Sequence, residues 1–159
     1  MTQPRSNFQA GFTLIELVLV LAISVILAAI AAPRYSASLS RYRADGAARR
    51  LAADLVLAQA TAKATSASCT VAFFNQPNGY QIQGLTAPDG GGGAYIVVLS
   101  AEPYRASIKG VNFTDSVADN TLKFSGYGEP DSGATIIITV GGVDRTVTVS
   151  ASSGTVSIQ

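Results

Sequence analysis

The sequence predicts an α+β protein, with one long N-terminal helix, membrane-spanning in its first half, packed on a C-terminal antiparallel β domain. Three observations carry that expectation. From Leu17 to Ala32 sixteen consecutive residues carry no charge, and Ser24 is the only polar one. From Pro33 to about Thr65 the chain is rich in Ala, Arg and Leu, all good helix formers. From Cys69 onward the apolar spacing changes from the 3.6 of a helix to short β runs, separated by Gly, Pro, Asn and Asp.

Counted from Phe12, the apolar run reaches twenty-one residues, enough to cross about 30 Å of hydrocarbon as a helix. Glu16 interrupts it. An unpaired carboxylate inside a membrane-length helix costs roughly 2.5 to 3.5 kcal/mol or more, and no Lys or Arg lies within a helical turn. The nearest candidate partner is a free amino group at Phe12, which exists if the chain is cut after Gly11. Pro33 removes one backbone hydrogen bond and bends the helix without ending it. A continuous helix from Phe12 to Thr65 is about 80 Å long.

The outer half carries two apolar stripes. Tyr35, Leu39, Tyr42 and Gly46 follow one another at helical spacing, and Ala44, Ala48, Leu51, Leu55, Ala58 and Ala62 form the second. At about 100° per residue the stripes fall on opposite faces. The Leu51/Leu55 stripe is expected against the chain's own sheet, and the Tyr35/Leu39/Tyr42 stripe against neighbouring subunits. Tyr35, close behind the apolar run, is equally placed to anchor in the membrane interface.

The strands follow in order. Cys69–Phe74 and Tyr80–Leu85 flank the hairpin-like segment 75–79, and Ala94–Ser100 comes after the glycine tract 90–93. Ile108–Phe113 and Thr121–Ser125 are weaker runs. Ala134–Val140, Thr146–Ser150 and Thr155–Ile158 are the clearest, joined by Gly141-Gly142 and Ser152-Ser153-Gly154 turns. Alternation over 146–150 puts Val147 and Val149 inside, with the threonines outside.

Composition narrows the chemistry. Net charge is +1 with 13% charged residues, which points to no acidic or nucleic-acid partner. With no His and a single Cys, Cys69, the chain offers no intramolecular disulfide and no His- or Cys-built metal site. No catalytic constellation is recognisable, so neither an enzyme nor a cofactor is expected. Asp115, Asp119, Glu129 and Asp131 match no calcium-loop spacing and read as solvated loop acids. Arg34, Arg41, Arg43, Arg49 and Arg50 follow the apolar run, against only Arg5 before it. That bias opposes the positive-inside rule, which weakens for long translocated domains.

Gly11-Phe12-Thr13-Leu14-Ile15-Glu16 ahead of the apolar run resembles the cleavage and methylation signal of type IV pilins and type II secretion pseudopilins. The resemblance extends to about Tyr35 and includes Pro33, where these proteins commonly carry a kinking proline. It implies a leader at 1–11 and a cut by prepilin peptidase between Gly11 and Phe12, with N-methylation of Phe12. It also implies that Glu16 pairs with the N-terminus of a neighbouring subunit in a filament. A helix at 12–65, transmembrane over 12–32, and a periplasmic β domain at 66–159 complete the organisation. The competing reading is an ordinary secretory signal over Met1–Ala32, with Arg5 as its basic region and Ala29-Ile30-Ala31 as its cleavage site. The run exceeds the usual apolar core of about 7 to 15 residues, and Glu16 then has no role. A plain membrane anchor leaves Glu16 equally unexplained.

Three further stretches are similar to the GspH/FimT-like minor pseudopilins and pilins: Arg49-Arg50-Leu51 through Ala58-Gln59-Ala60, the run Phe124-Ser125-Gly126, and the ending from Val147 through Gly154 to Val156. The chain departs at Thr155, where a basic residue often follows the glycine. That family implies a non-enzymatic minor pseudopilin of a type II secretion system. Its partners are other filament subunits, prepilin peptidase and the inner-membrane assembly platform. It crosses the inner membrane once, with its β domain in the periplasm. The alternative is a minor type IV pilin for adhesion, motility or DNA uptake. DNA binding needs clustered exposed cations. After Cys69 there are four bases against seven acids, a net of −3, and nucleic acid is not an expected partner.

Overall fold

A computed structural model describes residues 11–76, 78–87, 93–114 and 120–159. Apart from Gly11, the expected leader lies outside these residues, as do Asp115, Asp119 and most of the glycine tract. Helix α1 spans Leu14–Thr65, 52 residues with Pro33 inside it. It starts two residues after the expected position because Thr13 caps it, and it ends where Ser66 turns into the left-handed region at φ 51°. The chain divides into two compact units, one ending at Ala37 and the other running Ser38–Gln159.

In the first unit the large apolar side chains from Phe12 to Ile30 all face outward, between 50% and 84% exposed. Among the described residues α1 is the one helix long and apolar enough to cross a membrane, and its most apolar window is wholly unburied. Among the described residues nothing covers this surface; a hydrocarbon phase or other helices would.

The second unit holds the core. Strands β1 (Cys69–Asn75), β2 (Asn78–Thr86), β3 (Ala94–Val98) and β5 (Thr121–Phe124) form one antiparallel sheet in the order β3-β2-β1-β5. Strands β4 (Ser107–Phe113), β6 (Ala134–Val140), β7 (Val143–Val149) and β8 (Val156–Ile158) form a second, β4-β6-β7-β8. The expected antiparallel β domain is therefore two four-stranded sheets, with β4 and β5 pairing outside their sequence neighbours. In β6 burial alternates through Ala134, Ile136, Ile138 and Val140, and in β7 Val147 and Val149 point inward as expected. The β6–β7 hairpin closes with Val140 opposite Val143. Gly141 and Gly142 both have positive φ, 56° and 83°, which a two-residue turn of this twist requires.

The Ala44, Ala48, Leu51, Leu55, Ala58 and Ala62 stripe is entirely buried in this core, joined by Ala47 and Asp54. On the other stripe Tyr35 and Tyr42 stand 72% and 78% exposed. Gly46 differs from expectation. It faces Tyr104 of its own domain, whose ring carbon lies 3.6 Å from where a Cβ would stand.

Candidate assembly site

The helix start is built by Thr13. Its Oγ1 accepts a hydrogen bond from the Glu16 amide at 3.3 Å, and its carbonyl accepts one from the Leu17 amide at 3.2 Å. Thr13-Leu14-Ile15-Glu16 has the Thr-x-x-Glu pattern of a capping box. Its carboxylate sits in the first turn, where the helix dipole favours negative charge. This local role escaped sequence reasoning, although the four-residue pattern signals it. Phe12 and Glu16, one turn apart, border the same shallow groove with Leu17, Val20 and Leu21. Gly11 and Phe12 ahead of the helix are exposed. Within the apolar run the Ser24 hydroxyl donates to the Val20 carbonyl at 2.8 Å, satisfying its one polar side chain without water. At Pro33 the carbonyl accepts a hydrogen bond from the Ser36 hydroxyl at 3.0 Å.

In the domain the decisive residue is Asp54. It lies in the buried helix stripe, 5% exposed, between Leu51 and Leu55. The Tyr80 hydroxyl donates to it at 2.6 Å, the Tyr95 hydroxyl at 2.8 Å and Arg50 Nε at 2.9 Å. Arg50 also donates to the Tyr95 oxygen at 2.9 Å, closing the network. The hydrogen bond to Asp54 holds Arg50 above its usual range. Burial first, and then the carboxylate, push the Tyr80 and Tyr95 phenols upward, so both stay protonated as donors. The arrangement stitches α1 to β2 and β3. A second tie runs from Arg145 on β7 to Asp45, and a third from Arg43 to Glu102.

At the C-terminal end of α1, Gln59 Nε2 donates to the Gly128 carbonyl at 2.8 Å and reaches the Ser153 carbonyl at 3.4 Å. Gly126 lies so close to the helix terminus that a Cβ there would stand 2.7 Å from the Ser66 carbonyl carbon and oxygen. Gly154, at φ 67°, packs against the Gln59 amide. Gln59 of the first family-like stretch thus meets Ser153 and Gly154 of the last, while Gly126 of the middle one abuts the helix terminus at Ser66.

Among solved structures, the chain is similar to the type IV minor pilin FimU of Pseudomonas aeruginosa strain PAO1 in two crystal forms. In one, the TM-score is 0.50 at 20% identity, over 75% of this chain and 90% of that one. In the other it is 0.48 at 18% identity, over 72% and 91%. No curated protein matches the sequence. Residues 6–32 match the prokaryotic N-terminal methylation motif, and residues 47–154 match the type II transport protein GspH. The chain belongs to the GspH family. The GspH match takes in the Asp54 network and the Gln59 junction, and the methylation motif takes in Gly11, Phe12 and Glu16. A GspH-family chain with this motif is a pilin-like minor subunit, membrane-anchored by its apolar helix and carrying a C-terminal globular domain. Its kind is processed by a peptidase and assembles with other pilins.

Proposed function

We propose that this protein is a structural, non-enzymatic minor pseudopilin of a type II secretion system. Residues 1–11 are a leader removed by prepilin peptidase between Gly11 and Phe12, and Phe12 becomes the methylated N-terminus. Residues 12–32 cross the inner membrane, residues 66–159 stand in the periplasm, and Glu16 and Pro33 serve assembly into a short periplasmic filament on the inner-membrane platform. The match of residues 47–154 to GspH, behind an apolar helix that no described residue covers, is the observation that carries this reading. Nucleic acid is not a partner: of the four cations after Cys69, Arg105, Lys109 and Arg145 are already engaged with Glu102, Asp144 and Asp45. On the helix Arg43 and Arg50 are engaged with Glu102 and Asp54. The fold likeness to a minor pilin favours the alternative of a minor type IV pilin. A strain lacking the gene decides between them. Secretion of exoproteins should fall with surface pili intact, whereas lost pili with normal secretion would make the chain a type IV minor pilin.

A further inference from the structure

The loop at 125–130 between β5 and β6 is held on every side except its tip. The Ser125 amide donates to the Glu129 carbonyl at 2.8 Å, the Gly128 amide to the Ser125 carbonyl at 2.7 Å, and the Asp131 amide to the Lys123 carbonyl at 2.9 Å. Ser125 Oγ accepts from the Glu129 amide, Phe124 and Pro130 form a β-bridge, and Gln59 binds the Gly128 carbonyl from the helix. The backbone of Gly128 is pressed against the Lys63 stem, where a side chain would collide with it. At the tip of this braced loop stands Tyr127, 87% exposed, more than any other large apolar side chain in the described residues. Beside it Lys63, Ser66, Ser125, Gly126 and Tyr127 line an open cleft of about 550 Å³. Lys63 has no ion-pair partner among the described residues, and the Ser66 hydroxyl has no hydrogen bond there either.

A rigid loop presenting an uncovered tyrosine is a common form of binding anchor, because little side-chain entropy is lost when the ring is buried. A cation without an ion-pair partner beside that ring favours the opposite charge. We infer that this cleft docks an acidic segment of a neighbouring subunit, with Tyr127 buried against it and a partner carboxylate on the Lys63 ammonium and the Ser66 hydroxyl. The inference rests on the chain being a filament subunit. It is separate from the membrane helix, since its residues come from the far end of α1 and the β5–β6 loop.

The test uses the full-length protein in cells with its native partners. A photo-cross-linking phenylalanine analogue is placed at Tyr127, and in a second strain at Leu19 in the apolar helix. The Tyr127 probe should join a second pilin-like subunit at a peptide containing Asp or Glu. Lys63→Glu should reduce that product at least tenfold, while Lys63→Arg retains it. Lys63 is exposed in the last turn of α1, so thermal unfolding of the extracted protein should be unchanged in Lys63→Arg and only slightly earlier in Lys63→Glu, which opposes the helix dipole. Leu19 adducts without Tyr127 adducts, or Tyr127 adducts indifferent to Lys63→Glu, would overturn the cleft assignment and leave the filament reading standing. Absence of subunit adducts from both positions would overturn both.

Discussion

The Tyr80 hydroxyl donates to the Asp54 carboxylate at 2.6 Å inside a core where Tyr80 is wholly buried and Asp54 nearly so. A helix acid and a strand phenol thus fix the rotation and height of α1 on the β3-β2-β1-β5 sheet, which packing of alanines alone would define loosely.

Breaking that relationship should be expensive. Asp54→Ala leaves the buried Tyr80 and Tyr95 hydroxyls without their acceptor, at about 1 to 3 kcal/mol for each, while the Arg50 side chain, 38% exposed, turns to water. Asp54→Asn keeps one acceptor but turns an amide toward the cluster, and should cost about 1 to 3 kcal/mol. Denaturant unfolding of the two variants measures both. Equal stability of Asp54→Ala and wild type would show that the network contributes nothing.

The same cluster sets an alkaline limit. Burial holds the Tyr80 phenol above its ordinary value near 10, and the carboxylate adds to this. Between about pH 10 and the raised folded value, the unfolded chain loses a proton that the folded chain keeps. Stability from this group is therefore complete below about pH 10 and declines as pH rises, by at most about 1.4 kcal/mol per pH unit. Tyr95 shifts in the same direction. Unfolding free energy measured from pH 9 to 11 should fall for wild type and fall less steeply for Tyr80→Phe.

Much of this domain was readable in the sequence, because short-range patterns decide it. Ala134–Val140 runs where its β-branched alternation ends at Gly141, and the Leu51/Leu55 stripe is buried residue for residue. The division into two sheets was not readable. The pairing of β5 with β1 and of β4 with β6 joins segments far apart in the chain, and nothing local to Thr121 or Ser107 specifies the partner. Asp54 was missed although it left a trace. It is the only acid between Gly46 and Thr65, it sits in the middle of an apolar stripe, and Arg50 precedes it by one turn. A charge at that position needs a buried partner, and the tyrosines supplying it come from strands whose register sequence alone did not fix.

The unit Ser38–Gln159 carries its own core, including the buried helix stripe. A chain lacking residues 1–37 should be soluble, monomeric and cooperative in unfolding. Sedimentation and thermal melts check this; an aggregated or non-cooperative product would mean that the core depends on the apolar segment.

Processing is testable on the intact protein. Mass analysis of membrane-extracted material should give a chain beginning at methylated Phe12. A start near Ala32 or Pro33 would instead identify a conventional secretory signal.

Glu16 has two explanations of different size. As the fourth residue of Thr13-Leu14-Ile15-Glu16 it completes the capping pattern at the helix start, and its charge in the first turn is worth about 0.3 to 1 kcal/mol against the helix dipole. As the partner of a neighbour's N-terminal amine in a filament, its loss would strand a buried charge at about 3 to 5 kcal/mol. Glu16→Gln separates them. Glutamine at this position still completes a capping box, but it cannot neutralise an ammonium. Both Glu16→Gln and Glu16→Ala should therefore lose cross-links to filament neighbours and secretion, while cleavage after Gly11 and folding of the β domain persist. The carboxylate lies on the mature side of the proposed cut, and the compact unit holding the sheets does not include it. If Glu16→Gln assembles and secretes like wild type while Glu16→Ala fails, the residue acts as a helix cap and the amine pairing is wrong. If both behave as wild type, neither role is needed for assembly.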